Sequence, residues 1–378
     1  MIPLSVPNIS GNEWKYIKEC LDTNWVSSVG SYVSLFENRV AEFCGVKKAI
    51  ATSNGTSALH LSLMLAGVKR NDLVILPNIT FVAPANAIKY LEADAVLVDI
   101  DEETWQIDVD LLSRFLQSET SIINGSCVHK KTGRKISAML PVHVLGNICN
   151  MDLLIQLSSQ YHVPIVEDST EALGSYYKGK HAGSFGMLGC LSFNGNKIIT
   201  TGGGGMILCN DEKLANKAKH LTTQAKASRD EYYHDEVGYN YRLVNILAAM
   251  GVAQMEQLPG FLVRKKQIAD RYNDFFQNIH GTRPQKINDD VKSNNWLYTV
   301  RLFNQEDLRK HLTEKNVEVR PLWVPMNQLP AFKNDIYVTT QDISDKLYRT
   351  CLSLPCSTGL TNEEQSEVIG LLQSFYHD

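Results

Sequence analysis

A lysine set between a polar turn and a run of glycines is the first feature with chemistry in it. Ser192-Phe193-Asn194-Gly195-Asn196-Lys197 is followed by Ile198-Ile199-Thr200-Thr201 and by Gly202 to Gly205. Small side chains let a backbone approach a bound group, and hydroxyls with turn amides suit a phosphate. An amine held there can form a Schiff base with an aldehyde. Lys197 also fits an ordinary surface lysine, and the glycines fit a hairpin or bulge. Upstream, the apolar run Val163-Pro164-Ile165-Val166 leads straight into Glu167-Asp168. Two carboxylates at the end of a buried strand are costly unless paired or used. Asp168 can pair with a cation, bind a metal or hold a protonated pyridine nitrogen. Glu171 follows where the chain bends into a polar turn. Ser53-Asn54-Gly55-Thr56-Ser57 stands between a short strand and a helix. First-turn amides there have no intrahelical partners and favour an anion, although plain capping reads the same way. Phe81 suits the core or stacking on a planar ring; His143 suits a site or a hydrogen-bonded structural role.

These side chains need elements to position them. Helical spacing covers 12–21, 34–44, 58–66, 82–90, 213–220, 245–258 and 261–276, with Pro259-Gly260 separating the last two. Strands fall at 47–52, 73–76, 95–99, 138–142, 163–166, 190–193 and 206–209. Alternating strands and helices imply a mostly parallel sheet covered by helices, with the site at the carboxyl ends of the strands. Residues 124–135 read as an exposed basic hairpin with solvated charges. Beyond about 280, short strands and the helices 306–314 and 362–375 suggest a smaller α+β domain. We expect a large domain over 1–250 and a small C-terminal domain over 251–378, bridged by the helix 261–276.

Composition narrows the function classes. The chain has 378 residues, 44% hydrophobic and 21% charged, which is ordinary for a globular protein. A net charge of −4 argues against a dedicated nucleic-acid binder. The eight cysteines form no Cys-x-x-Cys pair and no zinc spacing, so they read as reduced thiols, and no metal centre is expected. No signal peptide and no run of 18 apolar residues is evident, so a cytoplasmic protein without a membrane span is expected. Gly183 to Gly189 does not fit the dinucleotide fingerprint, which argues against a nicotinamide oxidoreductase.

Taken together, the motifs resemble the fold-type I PLP-dependent sugar aminotransferases of the DegT/DnrJ/EryC1/StrS family. The likeness spans nearly the whole chain. It rests on Asn54-Gly55-Thr56-Ser57-Ala58, Pro77-Asn78-Ile79-Thr80-Phe81-Val82-Ala83, Pro141-Val142-His143, Val166-Glu167-Asp168, Ser192-Phe193 with Lys197, Gly238-Tyr239-Asn240-Tyr241-Arg242, Arg320-Pro321-Leu322-Trp323, and Leu354-Pro355 with Gly359-Leu360-Thr361.

The resemblance implies roles. Lys197 matches the lysine that holds the aldehyde of pyridoxal 5′-phosphate and then serves as acid and base. Asp168 matches the partner of the pyridinium nitrogen, and Phe81 the ring-stacking aromatic. Gly55, Thr56, Ser57 and Ser192 match the phosphate cradle. Asn240 matches a residue that reaches the phosphate from a neighbouring subunit, which implies a homodimer with shared active sites. Glu171 stands where many relatives carry glutamine, near the cofactor's phenolic oxygen. An ionised Glu there would disfavour the phenolate, so the resemblance implies a protonated or displaced side chain. Asn194-Gly195-Asn196 departs from the commoner aromatic-Pro-Thr, and the retained lysine argues against the family's dehydratase branch.

Asn24-Trp25-Val26-Ser27-Ser28-Val29-Gly30 and the run Ser192 to Gly205 look most like aminotransferases of legionaminic-acid-type pathways. Those act on UDP-linked 4-keto-6-deoxy-N-acetylhexosamines, which implies amino transfer from L-glutamate to the C4 keto carbon. Trp25, Ser28, His143 and Trp323 are the candidate substrate contacts. Lys226 and Arg229 suit the diphosphate, or simply a solvated loop. A C3-acting transaminase and a PLP-binding regulator without turnover are the alternatives; the regulator would be expected to have lost the lysine or the aspartate.

Overall fold

A computed structural model describes residues 1–228 and 230–377 of the chain. Apolar runs build its centre. Leu73, Val74, Ile75 and Leu76 are all buried, as expected of a strand covered on both faces. The central sheet runs, edge to edge, Lys48–Thr52, Gly205–Cys209, Leu188–Ser192, Val166–Asp168, Ile136–Met139, Leu73–Pro77, Asp94–Val98 and Ile336–Val338. Gly205–Cys209 is antiparallel to both of its neighbours. The other pairings are parallel, and the bridges Met139–Ile165 and Val142–Asp168 join the two halves. This is the mostly parallel mixed sheet expected from the sequence.

Helices cover the sheet. Gly55–Leu65 is buried over most of its length, so it is apolar all round rather than striped. Pro259-Gly260 does not separate two helices. Asn245–Phe276 is a single helix of 32 residues with Pro259 inside it. Proline costs a helix one hydrogen bond and about 3 kcal/mol. Here Pro259 and Gly260 lie on the exposed side, while Leu258, Phe261 and Ile268 are buried, so packing holds the helix through the break. Position 250, the expected domain boundary, falls within this helix. Its first half packs on the helices Glu13–Asp22 and Ser31–Cys44. The approach is close at Gly251, where a Cβ would stand 2.7 Å from the ring of Phe36.

The C-terminal third forms a small antiparallel sheet in the order Arg283–Pro284, Tyr298–Arg301, Cys351–Leu354, Arg320–Pro321. The helices Gln305–Glu314 and Asn362–His377 accompany it. One segment of this third returns to the large sheet: Ile336–Val338 adds an edge strand parallel to Asp94–Val98. Asp99 pins the return. Its buried carboxylate accepts from Ile343 N (2.8 Å), Ser344 N (2.9 Å), Ser344 Oγ (2.6 Å) and Thr339 Oγ1 (2.7 Å).

Two smaller expectations resolve here. The hairpin lies earlier than the expected 124–135: Thr120–Ile123 pairs with Ser126–His129 across a turn at Asn124 and Gly125, both with positive φ (48° and 75°), as a tight hairpin turn demands, and the basic residues follow it. Their charges are not all solvated, because Arg134 bonds Asn71 O (2.7 Å) and Asp72 O (3.0 Å) and pairs with Asp94 (2.7 Å). All eight cysteines are buried and unpaired.

Asp99→Ala would leave three buried amides, those of Ile100, Ile343 and Ser344, without their acceptor, and it is expected to lower the unfolding free energy by about 2–4 kcal/mol. Denaturant unfolding checks this; a loss below about 0.5 kcal/mol would contradict the pinning role.

Candidate functional site

A cavity of about 620 Å³ opens at the carboxyl ends of the central strands, walled on its other side by Trp296, Arg320 and Trp323 from the C-terminal third. The strand Leu188–Ser192 delivers Lys197 to it through a self-closed loop. Phe193 is buried against Phe36, with ring centroids 4.9 Å apart. Its amide bonds Gly204 O and its carbonyl accepts from Thr201 N, both at 2.9 Å. The Lys197 amide closes a tight turn onto Asn194 O (3.0 Å). The Lys197 side chain is only 13% exposed. Its Nζ lies 3.8 Å from Glu171 Oε1 and 3.9 Å from the centroid of the Trp296 ring. Burial lowers the pKa of this amine, opposed by the charges of Glu171 and Asp168.

The two strand-end carboxyls have separate uses. Glu167 is structural: it accepts from Gly183 N (2.8 Å), Phe185 N (2.7 Å), Gly186 N (2.6 Å) and the His143 imidazole (3.1 Å). Asp168 is buried with one oxygen accepting from Thr170 N (3.0 Å). Burial raises its pKa, countered by the Thr170 hydrogen bonds and the charge of Lys197. Glu171 is also buried. Its Oε2 accepts from Leu145 N (2.8 Å). Leu145 has φ 61°, a left-handed backbone that leucine rarely adopts, and here it aims an amide at the carboxyl. Burial pushes the Glu171 pKa up to about 7, against the pull of Lys197 and the Leu145 amide.

The phosphate-type cradle is built from close approach. Asn54 caps the helix Gly55–Leu65 by accepting from Ser57 N (2.7 Å). Gly55, Thr56 and Ser192 line the cavity. A Cβ on residue 55 would stand 2.9 Å from Ser192 Cβ and 3.3 Å from Thr170 Cγ2, so only glycine fits. Ser57 turns away: its hydroxyl meets Ser53 Oγ (3.1 Å), and it borders a separate recess with Tyr90 and Tyr241. Phe81, at the start of the helix Val82–Tyr90, presents an exposed ring on the cavity wall.

The remaining candidates divide. Trp323 lines the cavity. His143 does not: it is fully buried, and the Cys149 amide donates to its Nδ1 (3.3 Å), which leaves the proton on Nε2 facing Glu167. Trp25, Ser28 and Asn240 are exposed and lie outside the chain's own cavity. Lys226 sits 5.0 Å from the centroid of the Tyr232 ring, and Arg229 lies outside the described residues. Among the described residues, His220, Asp235 and Glu236 cluster as possible metal ligands, away from the cavity. Sequence reasoning did not single out Trp296, Leu145 or the pair Glu318–Arg320 (2.9 Å). Only Arg320 carried a signal, through its place in Arg320-Pro321-Leu322-Trp323.

A carboxyl whose pKa rises on folding holds its proton more tightly in the folded state. Its contribution to stability is therefore present at low pH and lost as pH climbs from 4.5 to about 7. Glu171→Gln removes that titration. Thermal unfolding of the cofactor-free protein should show the variant gaining about 2 kcal/mol on the native chain between about pH 5 and about pH 8; parallel pH profiles would contradict the assignment.

Comparison with known proteins places this geometry. Residues 7–373 match the sequence model of the DegT/DnrJ/EryC1/StrS aminotransferase family. The chain is 39% identical to EpsN of Bacillus subtilis (strain 168), which carries the name of a pyridoxal phosphate-dependent aminotransferase, over 100% of this chain and 96% of that protein. It is 37% identical to GDP-perosamine synthase of Escherichia coli O157:H7, over 100% and 99%. The crystal structure of the aminotransferase TlmJ from Streptoalloteichus hindustanus superposes with a TM-score of 0.89 at 27% identity, over 99% and 98% of the two chains. The chain belongs to the DegT/DnrJ/EryC1/StrS family and is a fold-type I aminotransferase that uses pyridoxal 5′-phosphate.

Proposed function

We propose that the protein moves the amino group of L-glutamate to the C4 keto carbon of a nucleotide-linked 4-keto-6-deoxy sugar, in the cytoplasm, for bacterial surface-glycan or nonulosonic acid synthesis. The observation that carries this reading is the buried Lys197 amine beside Glu171, in a cavity large enough for a cofactor and part of a sugar nucleotide. The residues present fit the cofactor. The glycine at 55 keeps a cradle open that a Cβ would fill, with the hydroxyls of Thr56 and Ser192 beside it. Phe81 offers a ring face, and Asp168 is a buried acid with Lys197 in its field.

When bound, pyridoxal phosphate supplies an electron-accepting ring. The chain's own groups do the rest. Lys197 would hold the cofactor through Nζ, and the freed Nζ would be placed to take the proton from the α-carbon of the donor and to deliver one to C4 of the sugar. Asp168 would be the residue to keep the ring nitrogen protonated. Glu171, its pKa pushed up to about 7 by burial, would be able to give or take a proton beside the cofactor's phenolic oxygen. Burial lowers the pKa of the amine, which favours the unprotonated form that attack requires. Trp25, Ser28 and Asn240, exposed outside their own chain's cavity, fit a homodimer in which they serve the neighbouring site.

The nucleotide has two readings. The loop Asn24 to Gly30 favours a UDP-linked N-acetylhexosamine, and the E. coli relative, GDP-perosamine synthase, favours a GDP-linked sugar. Product analysis with L-glutamate and a panel of UDP- and GDP-linked 4-keto and 3-keto sugars separates them. An aminated C4 product supports the proposal; amination at C3 only, or at no sugar, overturns it. Asp168→Ala should cut turnover by about 10³-fold or more while the protein stays folded by circular dichroism. Turnover within about tenfold of the native chain would remove its role.

A further inference from the structure

We propose that Trp296 is a positioning residue for Lys197, its indole N–H fixing the backbone just before the lysine and its ring face seating the amine alongside Glu171. The inference rests on Lys197 being the reactive amine. Trp296 is 3% exposed. Its Nε1 donates to Asn196 O at 2.7 Å, which fixes the turn that carries Lys197. The Lys197 Nζ stands 3.9 Å from the ring centroid, well within cation–π range.

Trp296 is itself held from two directions. Its amide donates to Asn294 Oδ1 (2.9 Å), and Asn294 Nδ2 donates to the carbonyls of Glu171 and Leu173, both at 2.9 Å. Its carbonyl accepts from Lys265 Nζ (2.6 Å), which also donates to Cys356 O (2.5 Å). Lys265 is a second buried lysine, carried by the long helix Asn245–Phe276 and spent on these two carbonyls. One short loop thus ties together the backbone of both residues that flank the Lys197 amine.

The two parts of the indole have separable effects. The N–H sets position. The ring face favours an ammonium over a neutral amine, so it opposes the desolvation that burial imposes on Lys197. Glu171 and Asp168 act in the same sense. The other charged groups bordering the cavity, Glu318 and Arg320, pair with each other.

The test reads the full-length, cofactor-free protein. Acetic anhydride acetylates the unprotonated amine, and mass spectrometry of the Lys197 peptide across pH gives its titration midpoint. Fluorinated tryptophans placed at position 296 keep the shape and the N–H but drain the ring face, so folding is retained. The midpoint should fall stepwise with the number of fluorines, by about half a unit to one unit in total. Trp296→Leu should shift it at least as far. A midpoint that ignores fluorination overturns the inference. The reading of Lys197 fails separately: it falls if Lys197→Ala, incubated with pyridoxal phosphate, keeps the native visible absorbance band.

Discussion

Everything at this site depends on one awkward placement, a lysine amine taken out of water. An isolated buried ammonium is unfavourable by many kcal/mol, and proteins respond by pairing it or by lowering its pKa. Here both responses are present. Glu171 and Asp168 pull the Lys197 amine toward its charged form, Trp296 adds a π face, and burial pulls the other way. The balance suits an amine that must act as a nucleophile and then carry protons. Glu171 shows the mirror effect, a carboxyl driven up to about 7 and held by the amide of a left-handed leucine.

The fold exists to hold that balance. Parallel strands bring Asp168 and Ser192 to the same end of the sheet. The antiparallel strand Gly205–Cys209 lets the lysine loop leave that end and return at once, so Lys197 stays near the strand that delivers it. The wall facing the sheet comes from the C-terminal third. That third is anchored twice, by the long helix Asn245–Phe276 and by the strand Ile336–Val338 on the edge of the large sheet. The wall that faces Lys197 is therefore fixed to the same sheet that delivers the lysine.

Much of this was legible in the sequence where chemistry lies in short contiguous runs at strand ends. Gly55-Thr56, Phe81 and Ser192 to Lys197 are such runs, and the structure gathers them around one cavity, with Asp168 buried behind it in the field of Lys197. What was not legible depends on distant partners. Nothing near His143 says that Glu167 and the Cys149 amide will claim both of its nitrogens. Nothing near Trp296 says that its ring will meet a lysine 99 residues earlier. The left-handed backbone at Leu145 has no signature in a leucine. Pro259-Gly260 reads as a break, yet tertiary packing on the buried face carries the helix through it. Trp25, Ser28 and Asn240 lie exposed outside their own chain's cavity, a placement decided by tertiary packing and not by their neighbours in the sequence.

The most direct test of the central claim is reductive trapping. Borohydride treatment of the pyridoxal-phosphate-loaded protein fixes the cofactor to whichever amine holds it, and peptide mass spectrometry locates it. The account predicts the added mass on Lys197 and on no other residue. A label on Lys265, the other buried lysine, or no label at all in a protein that has taken up the cofactor, would contradict it.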